Sequence, residues 1–324
     1  MAYTTIKKPS DYFNTKLYTG TGSSNAITGV GFQPDWTWIK DRDTASNHMV
    51  TDAVRGATKT LYTQNADGES TVAQALKSFN TDGFTVGTDG DVNANTKNFA
   101  SWNWKAGTTS GFEILTWTGN QTNRTISHSL GKAPECLIIK GINQVEDWTT
   151  YQVGYGNTGN LILNSTGAAS NSSTYWQDTT PSASVITLGT STRLNGNSIN
   201  YICYAFTGIQ GYSKFGSYTG NGSTDGAFIY TGFKPAWVMI KRTDSSASWT
   251  LLDNKRDPYN VTEKRLFADS NDADTVGANG NTDFLSNGVK IRTSHLGINA
   301  SGGTYIYMAF AEEPLVGDNP ATAR

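Results

Sequence analysis

GFQPDWTWIK, at residues 31–40, occurs twice more in modified form, as LGKAPECLIIK at residues 130–140 and as GFKPAWVMIK at residues 232–241. In each copy a proline precedes a run of mostly aromatic or branched residues that ends on a lysine. This pattern is typical of a loop that leads into a buried β-strand. We therefore predict one such strand per copy, and we align the rest of the chain on it.

Four other landmarks recur in each copy in the same order, about 100 residues apart. They are the openings Tyr18-Thr-Gly20, Trp117-Thr-Gly119 and Tyr218-Thr-Gly220, the segments 48–52, 148–152 and 249–253, the segments 84–88, 186–190 and 289–293, and the closing strands 99–104, 201–206 and 305–310. Five landmarks that keep one order indicate an internal repeat.

The composition favours strands over helices. Charged residues make up 16% of the chain, aromatic residues make up 11%, and 34 of the 324 residues are glycine. Aromatic and branched residues suit a pleated surface, and glycine suits tight turns. We predict an all-β protein of three tandem antiparallel β-sandwich repeats, jelly-roll or lectin-like and packed together. One exception is the segment Thr71–Lys77, which could form a short helix.

The predicted domain organisation has five parts. They are an N-terminal arm at 1–11, repeats at 12–107, 108–209 and 210–313, and a C-terminal tail at 314–324. The arm has no apolar periodicity, and such arms are usually disordered. The linkers 105–111 and 207–211 are short, so we expect neighbouring repeats to pack together.

Charge and hydropathy limit the partners. The net charge is only −2, which does not favour nucleic acid or an anionic membrane as a partner. No stretch is long and apolar enough to predict a membrane span, and no apolar signal region follows Met1. We expect synthesis in a cytoplasm without export by a cleaved signal. We also expect Cys136 and Cys203 to be buried thiols.

The sequence predicts no catalytic, cofactor-binding or metal site. The histidines occupy unrelated places in the three copies, and His48 stands where the other copies have Trp148 and Trp249. The run Asp89–Asn95 alternates oxygen donors like a calcium loop, but it lacks the glycine and the final glutamate of that motif. We interpret it as a polar turn, with a weak cation site as the alternative.

Two polar residues recur with the repeat. We predict that Asn93, Asn195 and Asn299 brace a turn by side chain to backbone hydrogen bonds. We predict that Lys40, Lys140 and Lys241 end a buried strand in solvent. The alternative for the lysines is a set of equivalent contacts to a partner.

One segment is a candidate ligand site because it differs between copies. Tyr175, Trp176 and Asp178 lie in a polar stretch of the second copy only. Aromatic faces beside polar side chains suit sugar rings, so these residues are candidate ligand-binding residues. The alternative is that both rings anchor the loop in the core.

Several of these motifs resemble a known family. The opening at residues 8–20, the GFxPxWxxIK strand, the run at 211–222 and GTYIYMAFA at 303–311 are similar to repeat-containing virion proteins of tailed bacteriophages, common in phages of marine bacteria and cyanobacteria. The resemblance implies a structural protein of the particle, such as a tail or tail-fibre protein. It implies no catalytic residues.

Three functions follow as hypotheses. The first is a tail or tail-fibre component of a virion that acts by protein attachment and can also bind a host surface. The second is a capsid decoration or cement protein, since three similar units could occupy a threefold axis. The third is a carbohydrate-binding module. The expected partners are other virion proteins, further copies of the chain and a host surface glycan, without nucleic acid or membrane insertion.

Overall fold

The computed structural model describes residues 3–322, and its regular structure is almost entirely antiparallel β-sheet. We call residues 12–107, 108–209 and 210–313 unit 1, unit 2 and unit 3. Each unit holds one large and one small sheet with a hydrophobic cluster between them. The predicted all-β sandwich fold is confirmed, and the unit boundaries stay sequence predictions.

The strands of the three units have similar lengths and spacing. Unit 1 contains β1 (Phe13–Thr19), β2 (Asn25–Thr28), β3 (Trp36–Asp41), β4 (Met49–Asp52), β5 (Lys59–Tyr62), β6 (Ser70–Thr71), β7 (Leu76–Asn80), β8 (Gly83–Val86) and β9 (Asn98–Trp104). Unit 2 contains β10 (Phe112–Thr118), β11 (Arg124–Ser127), β12 (Cys136–Gly141), β13 (Thr149–Gln152), β14 (Gly159–Ile162), β15 (Ser170–Asn171), β16 (Val185–Leu188) and β17 (Asn200–Phe206). Unit 3 contains β18 (Ser213–Thr219), β19 (Phe228–Tyr230), β20 (Phe233–Arg242), β21 (Thr250–Asp253), β22 (Leu266–Phe267), β23 (Thr282–Leu285), β24 (Gly288–Ile291) and β25 (Thr304–Pro314).

The helices are single turns. The α-helices are α1 (Gly90–Asn93), α2 (Ser173–Trp176), α3 (Thr192–Asn195) and α4 (Leu296–Asn299), and 3-10 helices cover Pro9–Asp11 and Ala278–Gly280. The predicted helix at Thr71–Lys77 is wrong. Its ends belong to β6 and β7, and a turn joins them. In that turn Val72 donates its backbone N–H to Thr58, which ties the segment to unit 1.

The large sheets have matching strand orders. These are β1-β9-β3-β4-β5-β6 in unit 1, β10-β17-β12-β13-β14-β15 in unit 2 and β18-β25-β20-β21-β22 in unit 3. In each sheet the strand of the repeated stretch pairs with the last strand of its unit. Trp36 therefore faces Trp104, Cys136 faces Phe206, and Trp237 faces Phe310.

Each large sheet is buried on both faces, as the continuous burial of β3 and β12 shows. Alternate side chains of a strand point to opposite faces. In unit 2, Leu137 and Ile139 pack between the two sheets, whereas Cys136 and Ile138 pack in a cluster that draws on all three units. We call this shared cluster the central core.

Aromatic rings fill the central core. The ring centroids of Trp36 and Tyr204 lie 4.3 Å apart, and those of Phe13 and Phe310 lie 5.1 Å apart. Unit 1 therefore stacks on unit 2 and on unit 3. Large aromatic side chains remove much apolar surface from water and add a contribution from ring geometry.

Backbone hydrogen bonds join the units into a closed ring. The N–H to carbonyl bonds run from Glu69 to Ile142 (2.7 Å), from Ala169 to Thr243 (2.9 Å) and from Asp274 to Arg42 (2.8 Å). The last bond returns from unit 3 to unit 1. We call these contacts junction 1–2, junction 2–3 and junction 3–1. The expectation of packed neighbours is confirmed.

The N-terminal arm packs on the ring, although polar arms of this kind are usually disordered. Ile6 is buried in the central core. The Tyr3 hydroxyl donates to the Gly232 carbonyl at 2.6 Å, and the Asp318 N–H donates to the Lys7 carbonyl at 3.2 Å. Ile6 and the buried Pro9 thus anchor a mostly polar segment. Residues 1, 2, 323 and 324 of the predicted arm and tail lie outside the described residues.

Candidate functional site

The recurring lysines lie at the junctions and not in solvent, so that prediction is wrong. Lys40, Lys140 and Lys241 are fully buried. The Lys140 ammonium donates to the Ala66 carbonyl of unit 1 at 3.1 Å, and the Lys241 ammonium donates to the Thr166 carbonyl of unit 2 at 2.7 Å. Both lysines therefore bind the preceding unit.

Burial changes the acidity of these lysines. Removal from water disfavours the charged form and lowers the pKa of Lys40, Lys140 and Lys241 to about 8 each. Nearby carboxylates oppose this effect, and for Lys241 that carboxylate is Asp269. Within the described residues none of the three ammonium groups forms a salt bridge. They donate to backbone carbonyls instead.

A buried ion pair lies at two of the junctions. At junction 1–2 the Arg55 guanidinium contacts Asp52 at 2.5 Å, and the Tyr204 hydroxyl of unit 2 donates to the same carboxylate at 2.8 Å. At junction 3–1 Arg256 contacts Asp253 at 2.5 Å, and the Trp102 indole of unit 1 donates to that carboxylate at 3.2 Å. Each pair shares its carboxylate with the neighbouring unit.

Junction 2–3 has an amide in place of the ion pair. The Gln152 amide donates to the Tyr307 carbonyl of unit 3 at 2.7 Å. Tyr155, at the place of the arginines, instead donates its hydroxyl to Asn171 on the outside. A cavity of about 10 Å³ lies beside Gln152 and Thr150, which is just large enough for one water molecule.

An aromatic residue crosses each of two junctions, and His48 takes its place at the third. The Trp148 indole donates to the Tyr62 carbonyl and the Trp249 indole donates to the Ile162 carbonyl, both at 2.9 Å. His48 instead accepts from the Trp38 indole at 2.9 Å, and its Nε2 has no hydrogen-bond partner. Burial lowers the pKa of His48 well below its usual value. His48 is therefore buried in the interior and not on the surface.

The recurring asparagines brace their turns as predicted. The Asn195 side chain accepts from Asn120 N–H at 3.2 Å and donates to the carbonyls of Thr122 and Gly189 at 2.7 and 2.8 Å. Asn93 and Asn299 make the matching bonds in units 1 and 3. A bonded amide in the buried turn explains why the residue recurs.

The oxygen donors of the segment 89–95 do not converge on one point. Asp89 accepts from the Asp91 N–H at 2.9 Å, Asp91 accepts from the Asn47 amide at 2.8 Å, and Asn93 points into the brace. Within residues 3–322 no group of three or more His, Cys, Asp or Glu side chains could hold a metal ion. The structure favours the polar-turn interpretation of this segment.

The candidate ligand residues of unit 2 do not form one open site. Tyr175 and Trp176 lie in α2 and are buried, whereas Asp178 is exposed. The Trp176 indole donates to the Gly159 carbonyl at 2.9 Å, and the Tyr175 hydroxyl accepts from Arg193 at 2.7 Å. Both rings anchor the loop, so their faces do not offer a stacking surface.

Clefts occur where the chain passes between units. The cleft at junction 1–2 has a volume of about 200 Å³ and contains Asp35 and Leu130. The cleft at junction 2–3 measures about 360 Å³ and contains Glu135 and Tyr230. A third cleft of about 340 Å³ lies between the arm, the tail and unit 3. We call the surface that carries these clefts the linker face.

Sequence reasoning missed the junction residues. Asp52, Arg55, Asp253 and Arg256 stand at matching places of two copies, three residues apart, and this repeated pair was an available signal. Nothing in the sequence identifies their partners in the neighbouring unit, because Tyr204 and Trp102 lie about 150 residues away. Cys136 and Cys203 are buried free thiols as predicted.

Comparisons with known proteins place the chain in a family. No helix among residues 3–322 is long and apolar enough to cross a membrane. A comparison with curated proteins found no match. A family model described as "Domain of unknown function (DUF7483)" matches residues 8–314, which include all three units. The chain therefore belongs to the DUF7483 family of domains of unknown function.

Proposed function

We propose that the protein is a structural component of a tailed-phage virion, most directly a tail or tail-fibre part that works by attachment to other virion proteins. The observation that carries this proposal is the closed ring. One polypeptide presents three related units around one core, and their junctions repeat the same backbone contacts. Such a ring offers three similar outer surfaces to an assembly.

The character of the junctions supports a structural role. Their buried groups hold one another in place, as the Arg55, Asp52 and Tyr204 cluster does. Truncating one member of a buried charge pair typically destabilises a protein by about 3–5 kcal/mol. The recurring lysines and the two Arg–Asp pairs are therefore accounted for by assembly of the ring.

The linker face is the surface that we propose for docking. The clefts differ in chemistry, since Asp35 and Leu130 border one while Glu135 and Tyr230 border another. A partner that contacts all three clefts would therefore bind in one orientation. A ring with three identical clefts would permit three orientations.

The location in the particle tests the proposal. Purified virions would be labelled with gold-conjugated antibodies against the protein and imaged by negative stain. Label on the tail supports a tail component. Absence of label from intact and from tail-disrupted particles would contradict a virion role.

The ring also favours a second location. A unit count of three matches the local threefold positions of an icosahedral head, where a decoration protein could repeat one contact through each unit. Gold label distributed over the head would support this capsid decoration alternative and contradict the tail assignment.

A further inference from the structure

Unit 3 contains an open cleft where units 1 and 2 are closed by a polar pair. In unit 1 the Asn47 amide donates to Asp91 at 2.8 Å, and in unit 2 Arg193 pairs with Asp147 at 2.9 Å. The matching residues of unit 3 are Ser248 and Gly297. Neither can span the gap, and a cleft of about 400 Å³ remains.

An arginine lies in the wall of this cleft. Arg265 is only 6% exposed, and its Nε has no hydrogen-bond partner. No carboxylate of the described residues pairs with it, unlike the buried Arg55 and Arg256. A buried cation without a counter-charge is costly, so an unpaired guanidinium beside an open cleft is suited to an anion from outside.

The fold holds Arg265 in place. Its guanidinium carbon lies 5.4 Å from the centre of the Phe267 ring, in the range of cation–π contacts. A Cβ atom at Gly280 would overlap the Arg265 side chain, so the glycine makes room for it. Backbone hydrogen bonds in both directions join Arg265 to Thr275. The cation is therefore preorganised.

The other groups of the cleft indicate the class of ligand. Ser246, Ser248 and Asn279 offer hydroxyl and amide groups. Burial and the charge of Arg265 lower the pKa of His295, so His295 is neutral at pH 7. Arg265 is then the one charged side chain among the residues that line the cleft, and a planar carboxylate can pair with it by two parallel hydrogen bonds.

We propose that this cleft binds a hydroxyl-rich monocarboxylate, such as an acidic sugar, through Arg265. The single fixed charge favours a carboxylate over a phosphate dianion. The hydroxyl and amide groups suit a sugar body better than an alkyl chain. This inference goes beyond the structural role and does not depend on where the protein lies in a virion.

Titration of the full chain with glucuronate tests the proposal, with isothermal titration calorimetry as the readout and with glucose and inorganic phosphate as comparison probes. We expect saturable binding of glucuronate and at least tenfold weaker binding of glucose. Equal binding of glucose and glucuronate, tighter binding of phosphate, or no saturable binding of glucuronate would overturn the proposal.

Three variants assign the binding to the cleft. Arg265→Gln should weaken glucuronate binding at least tenfold, and Arg265→Lys should weaken it less because the charge remains. Arg124→Gln, which changes an arginine of unit 2, should leave it unchanged. Thermal melting checks that each variant is folded. Unchanged glucuronate binding by folded Arg265→Gln would overturn the proposal.

Discussion

Lys40, Lys140 and Lys241 show how a charged residue can belong to an interface within one chain. On the repeated strand they occupy the same face as the residues of the central core, two positions farther along. A lysine at the end of an apolar run normally indicates that a buried strand ends in solvent. Its carbonyl partners lie about 75 residues away in sequence, so no local pattern indicates that the lysine is buried.

The stability of the protein should rise with pH between 8 and 10 through these lysines. The pKa of Lys241 is about 8 in the folded protein and 10.5 ordinarily. In this range the unfolded chain binds a proton that the folded protein lacks. Each such group then adds up to roughly 1.4 kcal/mol of stability per pH unit.

The Lys241→Met variant isolates this effect. The free energy of unfolding in urea would be measured at pH 7.5, 8.5 and 9.5. With increasing pH it should rise less, or fall more steeply, for the variant than for wild type. Subtracting the two curves removes the contributions of Cys136 and the tyrosines. Lys77→Met, at an exposed position of β7, is the matched control. A difference between wild type and Lys241→Met that does not change with pH would contradict the prediction.

Each unit has one larger and one smaller side chain at the same two matching positions of its sequence. These pairs are Trp38 with His48, Ile138 with Trp148, and Met239 with Trp249. In unit 1 the larger side chain, Trp38, is at the first position, whereas in the other two units the larger side chain is at the second. We expect that His48→Trp alone overpacks the core and costs about 1–3 kcal/mol. Trp38→Ile alone should cost about 3 kcal/mol through the cavity that it leaves.

The double variant Trp38→Ile with His48→Trp should recover part of this loss. The new indole could donate to the Phe267 carbonyl, which matches the acceptors Tyr62 and Ile162 by strand register. We expect a favourable coupling free energy of about 1 kcal/mol or more from denaturant unfolding of the four proteins. Additive losses would show that the two positions do not compensate each other.

At the scale of elements, the one-turn helices depend on their asparagines. α3 is too short to be stable alone, and Asn195 ties it to two neighbouring loops. We predict that Asn195→Ala lowers the free energy of unfolding by about 3 kcal/mol, because buried carbonyls lose their donor. Asn95→Ala, at an exposed position, should change it by less than about 0.5 kcal/mol. Equal effects in denaturant unfolding would contradict the bracing role.

The elements that could be predicted are those that a local sequence pattern defines. The proline with its apolar run and the recurring asparagine are signals that each involve only a few neighbouring residues, and the strands and turns that they predict are confirmed. The segment Thr71–Lys77 was misread because its alanines favour a helix, whereas Leu76 pairs with Val86 in the small sheet. Tertiary pairing overrides local preference there.

At the scale of the whole molecule, the central core couples the three units. Trp36, Tyr204 and Trp237 come from different units and lie in one cluster. The apolar runs of β3, β12 and β20 have no polar alternation, a sign of strands buried on both faces. That pattern was visible in the sequence, but the surface that covers the second face was not, since it comes from the other units.

The shared core predicts a single unfolding transition. Far-ultraviolet circular dichroism and tryptophan fluorescence should follow one curve in guanidinium, because no unit can unfold without exposing the aromatic rings of its neighbours. Trp237→Ala should shift that whole curve to lower denaturant. Tyr259→Ala, at an 80% exposed position, should not. Two or three resolved transitions would contradict the coupling.

No covalent linker joins unit 3 to unit 1 at junction 3–1, and the backbone of the arm at Lys7 meets the backbone of the tail at Asp318. A force that pulls the two ends apart would therefore act on the contact of arm and tail first and then separate unit 3 from unit 1. The stacked Phe13 and Phe310 rings would resist that force. The mechanical strength of the molecule thus depends on the contact between unit 3 and unit 1, which no covalent linker reinforces.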